Sequence, residues 1–144
     1  MSDHIIKEDF LFLLNETFDK GEDLLFIPTG NGMKPMLNGT TDSVVLTKKN
    51  ESINLYDVVL YIRPADGSLV LHRVIKVNDD NSYVISGDSF DVRDNQIVYD
   101  DIIAVMKSFK HKNTTYTLDS RIYKMYIKII RIKNYFRNLK NKKS

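Results

Sequence analysis

The chain contains no cysteine among its 144 residues. Disulfides, thiolate metal sites and a cysteine nucleophile are therefore excluded. No run of about 18 apolar residues is present, the length that a membrane-spanning helix needs. The first ten residues carry acids where a secretory signal would carry bases. His4, His72 and His111 are widely separated, so we expect no metal site and no cofactor. The lack of cysteine, of a long apolar run and of a basic N-terminus predicts a cytoplasmic location.

Acidic residues are missing from the C-terminal end of the chain. From Arg121 onward there are nine Lys or Arg residues and no Asp or Glu, whereas residues 1–120 contain twelve bases and nineteen acids, a net charge of −7. The chain therefore combines an acidic body with a basic tail.

The N-terminal segment has the apolar spacing of one helical face. Over residues 3–20 this face carries Ile6, Phe10, Leu13, Leu14 and Phe18. Gly21 follows, and glycine is the residue that best adopts the left-handed conformation that closes many helices. The pattern predicts a short leading helix that ends at this glycine.

From residue 23 the pattern changes to short runs rich in β-branched and aromatic residues. The runs are DLLFIP, SVVLT, DVVLYIR, SLVLHRVIKV, SYVIS and IIAVMKSFK, separated by segments rich in Gly, Asn and Asp. The ADGS link between the third and fourth runs is typical of a tight hairpin turn. We therefore expect a mainly β, antiparallel body over residues 1–118 that includes the leading helix.

Residues 119–144 return to helical spacing and form a separate basic amphipathic helix. Asp119 or Ser120 is expected to cap its start. Its apolar stripe comprises Ile122, Met125, Tyr126, Ile129, Ile132, Tyr135, Phe136 and Leu139.

Three interpretations of this helix remain open. The stripe packs on the β body, or residues 121–143 lie on an anionic membrane surface, peripheral at its inner face. The third interpretation, nucleic-acid binding, is the weakest, since the body is acidic and the roughly 22 residues before the first β run cannot hold a helix-turn-helix domain.

Four blocks in the body occur in a characteristic order: GNGMKPML at 30–37, YDVVLYI at 56–62, LHRVI at 71–75 and GDSFDVRD at 87–94. Together they resemble the signal peptidase I and LexA-like serine peptidase superfamily, over about residues 23–106. The resemblance is closest to its small soluble bacterial members. It implies the complex β fold of that superfamily. Tyr56 departs from the glycine that commonly begins the second block.

The resemblance assigns roles to individual residues. The first block of the family reads G-x-S-M-x-P, so Gly32 stands where the family has its nucleophilic serine. His72 takes the position of the general base in the Ser/His type. Asp88, in a glycine turn, is expected to orient the imidazole, and Asp94 is the alternative acid. The residues alone do not rank the two, and the resemblance favours Asp88 because the glycine before it matches the family pattern.

Gly30, Asn31, Met33 and Pro35 are expected to form the wall of a peptide groove, with Met33 and Pro35 shaping the turn. The N–H of Gly32 would serve as an oxyanion donor. Acyl transfer needs an attacking oxygen, which glycine does not supply. Thr29 and Ser89 carry neighbouring hydroxyls, and neither is expected to replace the missing serine.

The expected activity is therefore that of a serine endopeptidase for leader or precursor peptides, inactive or strongly impaired as written. The alternative is a natural pseudopeptidase that acts as a peptide-binding or membrane-associated scaffold. The sequence leaves open whether Gly32 is an introduced or a natural residue.

Overall fold

The architecture is taken from a computed structural model that describes residues 3–89 and 92–143, with side chains for 7–89 and 92–140. Within these described ranges, two helices, eight strands and one 3-10 turn follow one another. They are α1 (Asp3–Asp19), β1 (Leu24–Phe26), β2 (Ser43–Thr47), β3 (Val58–Ile62), β4 (Leu69–Val77), β5 (Tyr83–Ser86), β6 (Arg93–Ile97), a 3-10 turn (Tyr99–Asp101), β7 (Ile102–His111), β8 (Thr114–Thr117) and α2 (Arg121–Lys143). The predicted mainly β fold with a helix at each end is confirmed.

The strands form one antiparallel sheet in the order β1-β2-β7-β3-β4-β5-β6, with β8 also pairing with β7. All six predicted runs contain strands. The ADGS link is the predicted hairpin, because β3 and β4 pair from Ile62↔Leu69 onward and Gly67 adopts a φ of +74°. The strands β6 and β8 were not predicted, since RDNQI and TTYT contain few apolar residues.

Hydrophobic side chains are buried on both faces of the sheet. Alternate residues of β3 enter two clusters, with Val58 and Leu60 in the first and Val59 and Tyr61 in the second. Because successive strand residues point to opposite faces, the two clusters lie on opposite sides of β3. The first cluster also receives the helices, through Leu14 of α1 and residues of α2.

The leading helix packs largely as predicted. Leu14 is buried, and Phe10 and Phe18 pack against the same cluster, whereas Leu13 is exposed and was wrongly placed on the buried face. The side chain of Ile6 lies outside the described residues. Gly21 closes the helix with a φ of +74° and its N–H donates to the carbonyl oxygen of Phe18, as the sequence predicted.

The C-terminal helix docks by a face that the sequence did not predict. Ser120 caps its start, because its hydroxyl accepts from the N–H of Tyr123. Tyr123, Ile130 and Asn134 are buried against the body, whereas Ile122, Met125, Ile129, Ile132, Tyr135, Phe136 and Leu139 of the predicted stripe are exposed. Tyr126 is the one residue of the predicted stripe that packs on the body, so the interpretation in which the stripe as a whole packs there is wrong. Neither described helix has the length and apolar content needed to cross a membrane.

Candidate active site

Gly32 and His72 face each other across one cleft. The cleft has a volume of about 120 Å³ and is lined by residues from the 26–39 segment on one side and by residues 69–72 of β4 on the other. A Cβ atom built on Gly32 would lie 2.7 Å from Nε2 of His72. The structure thus brings the first and third sequence blocks into contact, with the imidazole where a side chain at position 32 would begin.

The two glycines of this turn have different reasons to be glycine. Gly30 adopts a φ of +82°, a conformation that side-chain-bearing residues rarely take. Gly32 does not adopt a positive φ. The backbone would therefore accept another residue at position 32, and only the imidazole occupies the required space.

The fourth block packs against Gly32. The N–H of Ser89 donates to the carbonyl oxygen of Gly32 at 3.1 Å. Gly87 approaches so closely that a Cβ there would lie 2.3 Å from the carbonyl oxygen of Gly32 and 3.1 Å from Nε2 of His72. Glycine is required here by close backbone approach. Phe90 and Asp91 of this block lie outside the described residues.

The imidazole of His72 is half-buried, and one of its two nitrogens is shielded from solvent. Its Nδ1 is buried and has no hydrogen-bond partner among residues 3–89 and 92–143. Burial lowers the pKa of His72, and the Arg63 cation lowers it further, while the Asp94 and Asp88 carboxylates act in the opposite direction. The net lowering favours a neutral ring near pH 7, the form that a general base needs.

Asp88 does not make the orienting contact predicted for it. Its two carboxylate oxygens accept from Nε and Nη2 of Arg73 at 2.8 and 2.9 Å. The hydroxyl of Tyr126 donates to the same carboxylate at 2.7 Å. Arg73 follows His72 on β4 and points to the opposite face, so its permanent charge draws the carboxylate away from the imidazole.

Arg73 is fully buried, and all three nitrogens of its guanidinium donate hydrogen bonds. Its guanidinium also donates to the carbonyl oxygen of Tyr56 and contacts the hydroxyl of Tyr123, both at 2.8 Å. Burial by itself would lower the pKa of Arg73, but the attraction of the Asp88 carboxylate outweighs it and the pKa is raised. Together these contacts form a buried structural network behind the cleft.

Asp94 lies on the His72 side of the sheet, although it does not hydrogen-bond the ring. It accepts from the hydroxyl of Tyr61 and from Nε of Arg63. Tyr61 belongs to the cluster that includes Val70 and Val74, the neighbours of His72 on its face of β4. Of the two acids considered, Asp94 is therefore the one whose charge acts on the same side as the imidazole.

Only two of the four predicted groove residues line the cleft. Gly30 and Met33 line the cleft, as does Thr29. Asn31 is exposed and does not line the cleft, and Pro35 lines a separate cavity against α2. None of the hydrogen bonds among the described residues is donated by the Gly32 N–H. The hydroxyl oxygen of Ser89 is buried without a partner in the described part of the chain.

Sequence reasoning missed the groups that surround the predicted residues. Phe26, Pro28 and Leu69–Leu71 complete the cleft wall, and alternation along β4 was the signal available for the last of these. No sequence signal pointed to Tyr61, Arg63, Tyr123 or Tyr126, because the site partners that hold them, Asp94, Arg73 and Asp88, are at least 31 residues away along the chain.

Among the described residues, no group of three or more His, Asp and Glu side chains is placed to hold a metal ion. The arrangement combines an imidazole whose lowered pKa favours the neutral form, a Gly32 N–H that has no partner among the described residues, and a cleft. Acyl transfer would also need an attacking oxygen, which Gly32 does not carry. Comparison of the chain with protein-family models, curated proteins and solved structures gave no match in any of the three.

Proposed function

We propose that this chain has the site of a signal-peptidase-like serine peptidase, built for a leader or precursor peptide, and that it binds such a peptide without cleaving it efficiently. The observation that carries the proposal is the position of Nε2 of His72, 2.7 Å from where the Cβ of residue 32 would stand. A base in that position is the neighbour that a serine nucleophile requires. The four sequence blocks support the same assignment.

The proposed substrate is an extended peptide that lies along the cleft beside residues 28–36. Backbone pairing would provide affinity, and the cleft between Met33 and Leu69–Leu71 would accept a side chain next to the scissile bond. The family resemblance favours a small side chain at that point.

The absence of an attacking oxygen sets the expected rate. In subtilisin, removal of the serine lowers kcat by about 10⁶, and roughly 10³ to 10⁴ over water survives from the oxyanion hole and binding. A factor of 10⁶ corresponds to about 8 kcal/mol of transition-state stabilisation. Stronger binding of the peptide does not recover this loss, because ground-state affinity leaves the chemical step unchanged.

The decisive experiment is the Gly32→Ser variant, tested with a panel of leader peptides. The turn accepts a side chain, so the variant is expected to fold with the imidazole displaced and its Nε2 near the new hydroxyl. Cleavage is expected to appear and to rise with pH through a midpoint below the ordinary histidine pKa of about 6.5. Mass spectrometry of the products would locate the cut.

Two matched variants separate chemistry from sterics. Gly32→Ala displaces the ring equally but supplies no oxygen, and Gly32→Ser with His72→Ala supplies the oxygen without the base. Both are expected to be inactive. If Gly32→Ser folds and shows no cleavage, or if its cleavage does not depend on His72, the peptidase assignment fails.

The alternative function is a natural pseudopeptidase that binds peptides as a scaffold. It is favoured by one observation, the imidazole that already fills the space of a side chain at position 32. Under this alternative, Gly32→Ser cleaves nothing. The native chain is expected to bind a labelled leader peptide more tightly than that variant, as measured by fluorescence anisotropy. Weaker binding by the native chain would contradict it.

A further inference from the structure

The C-terminal helix α2 presents a continuous apolar stripe to solvent. We define the exposed stripe as Ile122, Met125, Ile129, Ile132, Phe136 and Leu139, whose side chains are between 36% and 64% exposed. Their spacing alternates between three and four residues along the whole helix. Such spacing places all six on one face.

The docked face and the exposed stripe lie on opposite sides of α2. The docked face is centred on Tyr123, Ile127, Ile130 and Asn134. At about 100° per residue, its centre and that of the exposed stripe are roughly half a turn apart. The helix is held to the body by one face while the other points away from it.

Specific contacts anchor the docked face. The amide of Asn134 donates to the carbonyl oxygen of Ile75 at 3.2 Å, and Tyr123 and Tyr126 contact the Arg73–Asp88 pair. The exposed stripe therefore does not arise from a helix that has failed to pack.

Positive charge flanks the exposed stripe on both sides. Lys124 and Lys128 lie along one edge, and Lys133 and Lys140 along the other, by the same angular spacing, whereas Arg131 lies nearer the docked face, over the ring of Tyr56. No acid occurs from Arg121 onward. An occupant of this surface must therefore offer apolar contact in the middle and negative charge at the edges.

A second copy of the chain does not meet this requirement. The spacing of the stripe resembles the a and d positions of a coiled coil, in which the flanking e and g residues of two helices face each other. In a parallel pairing of this kind Lys128 would face Lys133 of the other copy. Repulsion would oppose the apolar gain.

A specific protein helix is also a poorer match than a membrane surface. Partner helices are aligned by charges of both signs at the flanking positions, which fix register and orientation. Here every flanking charge is positive, so nothing selects one register. A laterally uniform anionic surface needs no register, and apolar residues with flanking bases are the composition that enters it.

We propose that α2 lies in the headgroup region of an anionic lipid membrane, with the exposed stripe inserted and the flanking bases on the lipid phosphates and carboxylates. The body would then be held at the membrane by its tail helix without crossing the bilayer. This inference does not depend on what the cleft does.

The test is cosedimentation of the full chain with vesicles of phosphatidylcholine alone and with vesicles that also contain phosphatidylserine. Binding is expected only to the second kind and is expected to weaken as salt is raised. A variant with Lys128→Gln, Lys133→Gln and Lys140→Gln is expected to bind roughly a hundredfold more weakly. The matched control changes Lys48, Lys76 and Lys110, exposed lysines of the body, to Gln and should bind like the native chain.

The apolar contribution has its own pair of variants. Ile129→Ser with Ile132→Ser is expected to abolish binding, whereas Val77→Ser with Val98→Ser, also partly exposed, should not affect it. Circular dichroism checks that each variant is folded.

Three results would overturn the proposal: equal binding to the two kinds of vesicle, equal loss in the two lysine variants, or no binding to either kind of vesicle. If sedimentation equilibrium shows a dimer that the Ile129→Ser and Ile132→Ser changes dissociate, and vesicles are not bound, the stripe is a self-association surface. If only an acidic amphipathic peptide binds it, the surface belongs to a protein partner.

Discussion

His72 and Arg73 are adjacent on β4 and have opposite environments. The imidazole borders a cleft with Nδ1 unpaired among the described residues, whereas the guanidinium is fully buried and bonded to Asp88, Tyr56 and Tyr123. Buried polar groups of structural importance are normally satisfied, and an unsatisfied one needs another explanation. The difference indicates that Arg73 holds the fold together, and it agrees with the role proposed for His72.

The largest effect is expected from Asp88→Asn, which tests whether Arg73 holds the fold together. This change keeps the size of the side chain but leaves the Arg73 charge buried without its counter-ion. We expect the free energy of unfolding to fall by about 3 to 5 kcal/mol. Urea denaturation followed by circular dichroism would measure it.

The matched control is Asp66→Asn. Asp66 forms a partly exposed pair with Arg63 at 3.6 Å, and its replacement is expected to cost far less stability than that of Asp88. A similar loss in the two variants would mean that Arg73 is not the buried anchor described above.

A smaller effect is expected from Tyr126→Phe. The change removes one hydrogen bond to the Asp88 carboxylate, which keeps its two bonds from Arg73. Loss of a hydrogen bond to a charged group at this half-buried site should cost about 1.5 kcal/mol. Tyr135→Phe, on the exposed side of the same helix, serves as the control and should leave stability unchanged. Equal midpoints for the two variants would argue against coupling between α2 and the network.

The smallest effect is expected from His72→Leu. Because Nδ1 has no partner among the described residues, replacing the ring by an apolar side chain should change the free energy of unfolding by less than about 1 kcal/mol at pH 7. His111→Leu is the comparison, since that imidazole pairs with the buried Asp42 and should matter more. A large loss in His72→Leu alone would reverse the assignment of His72 to function.

The pH dependence of stability in the native chain and in His72→Leu sharpens this prediction. Burial lowers the pKa of His72 in the folded chain below the unfolded value of about 6.5. As the pH falls through that value, the unfolded chain takes up the proton more readily than the folded chain. The native chain should therefore lose stability relative to His72→Leu between pH 7 and pH 5. Identical pH profiles would show that the imidazole is not shielded from solvent.

Much of the fold was predictable because it depends on local pattern. The six predicted strand runs, the ADGS hairpin and the Gly21 helix end all follow from residue type and spacing over a few positions. Tyr56 shows the limit of residue type, since it adopts a φ of +72°, a conformation that favours glycine, and is held there by tertiary contacts that include Arg73.

The site was predictable in part for the same reason. Motif order indicated that Gly32 and His72 belong together, and the structure places them in contact. The partner of Asp88 was not predictable, because two candidate partners, His72 and Arg73, lie on opposite faces of one strand. The same applies to α2, which has two apolar faces and docks by the one that reaches Arg73 and Asp88.

The sequence by itself determined the direction of each side chain relative to its own strand or helix, and so separated His72 from Arg73. Alternation in a strand and periodicity in a helix are set by backbone geometry over neighbouring residues. Only the tertiary structure decided which distant groups meet: Asp88 with Arg73, the imidazole with the vacant space at Gly32, and the Tyr123 face of α2 with the body. Those choices depend on charge and shape complementarity between segments that are far apart in the chain.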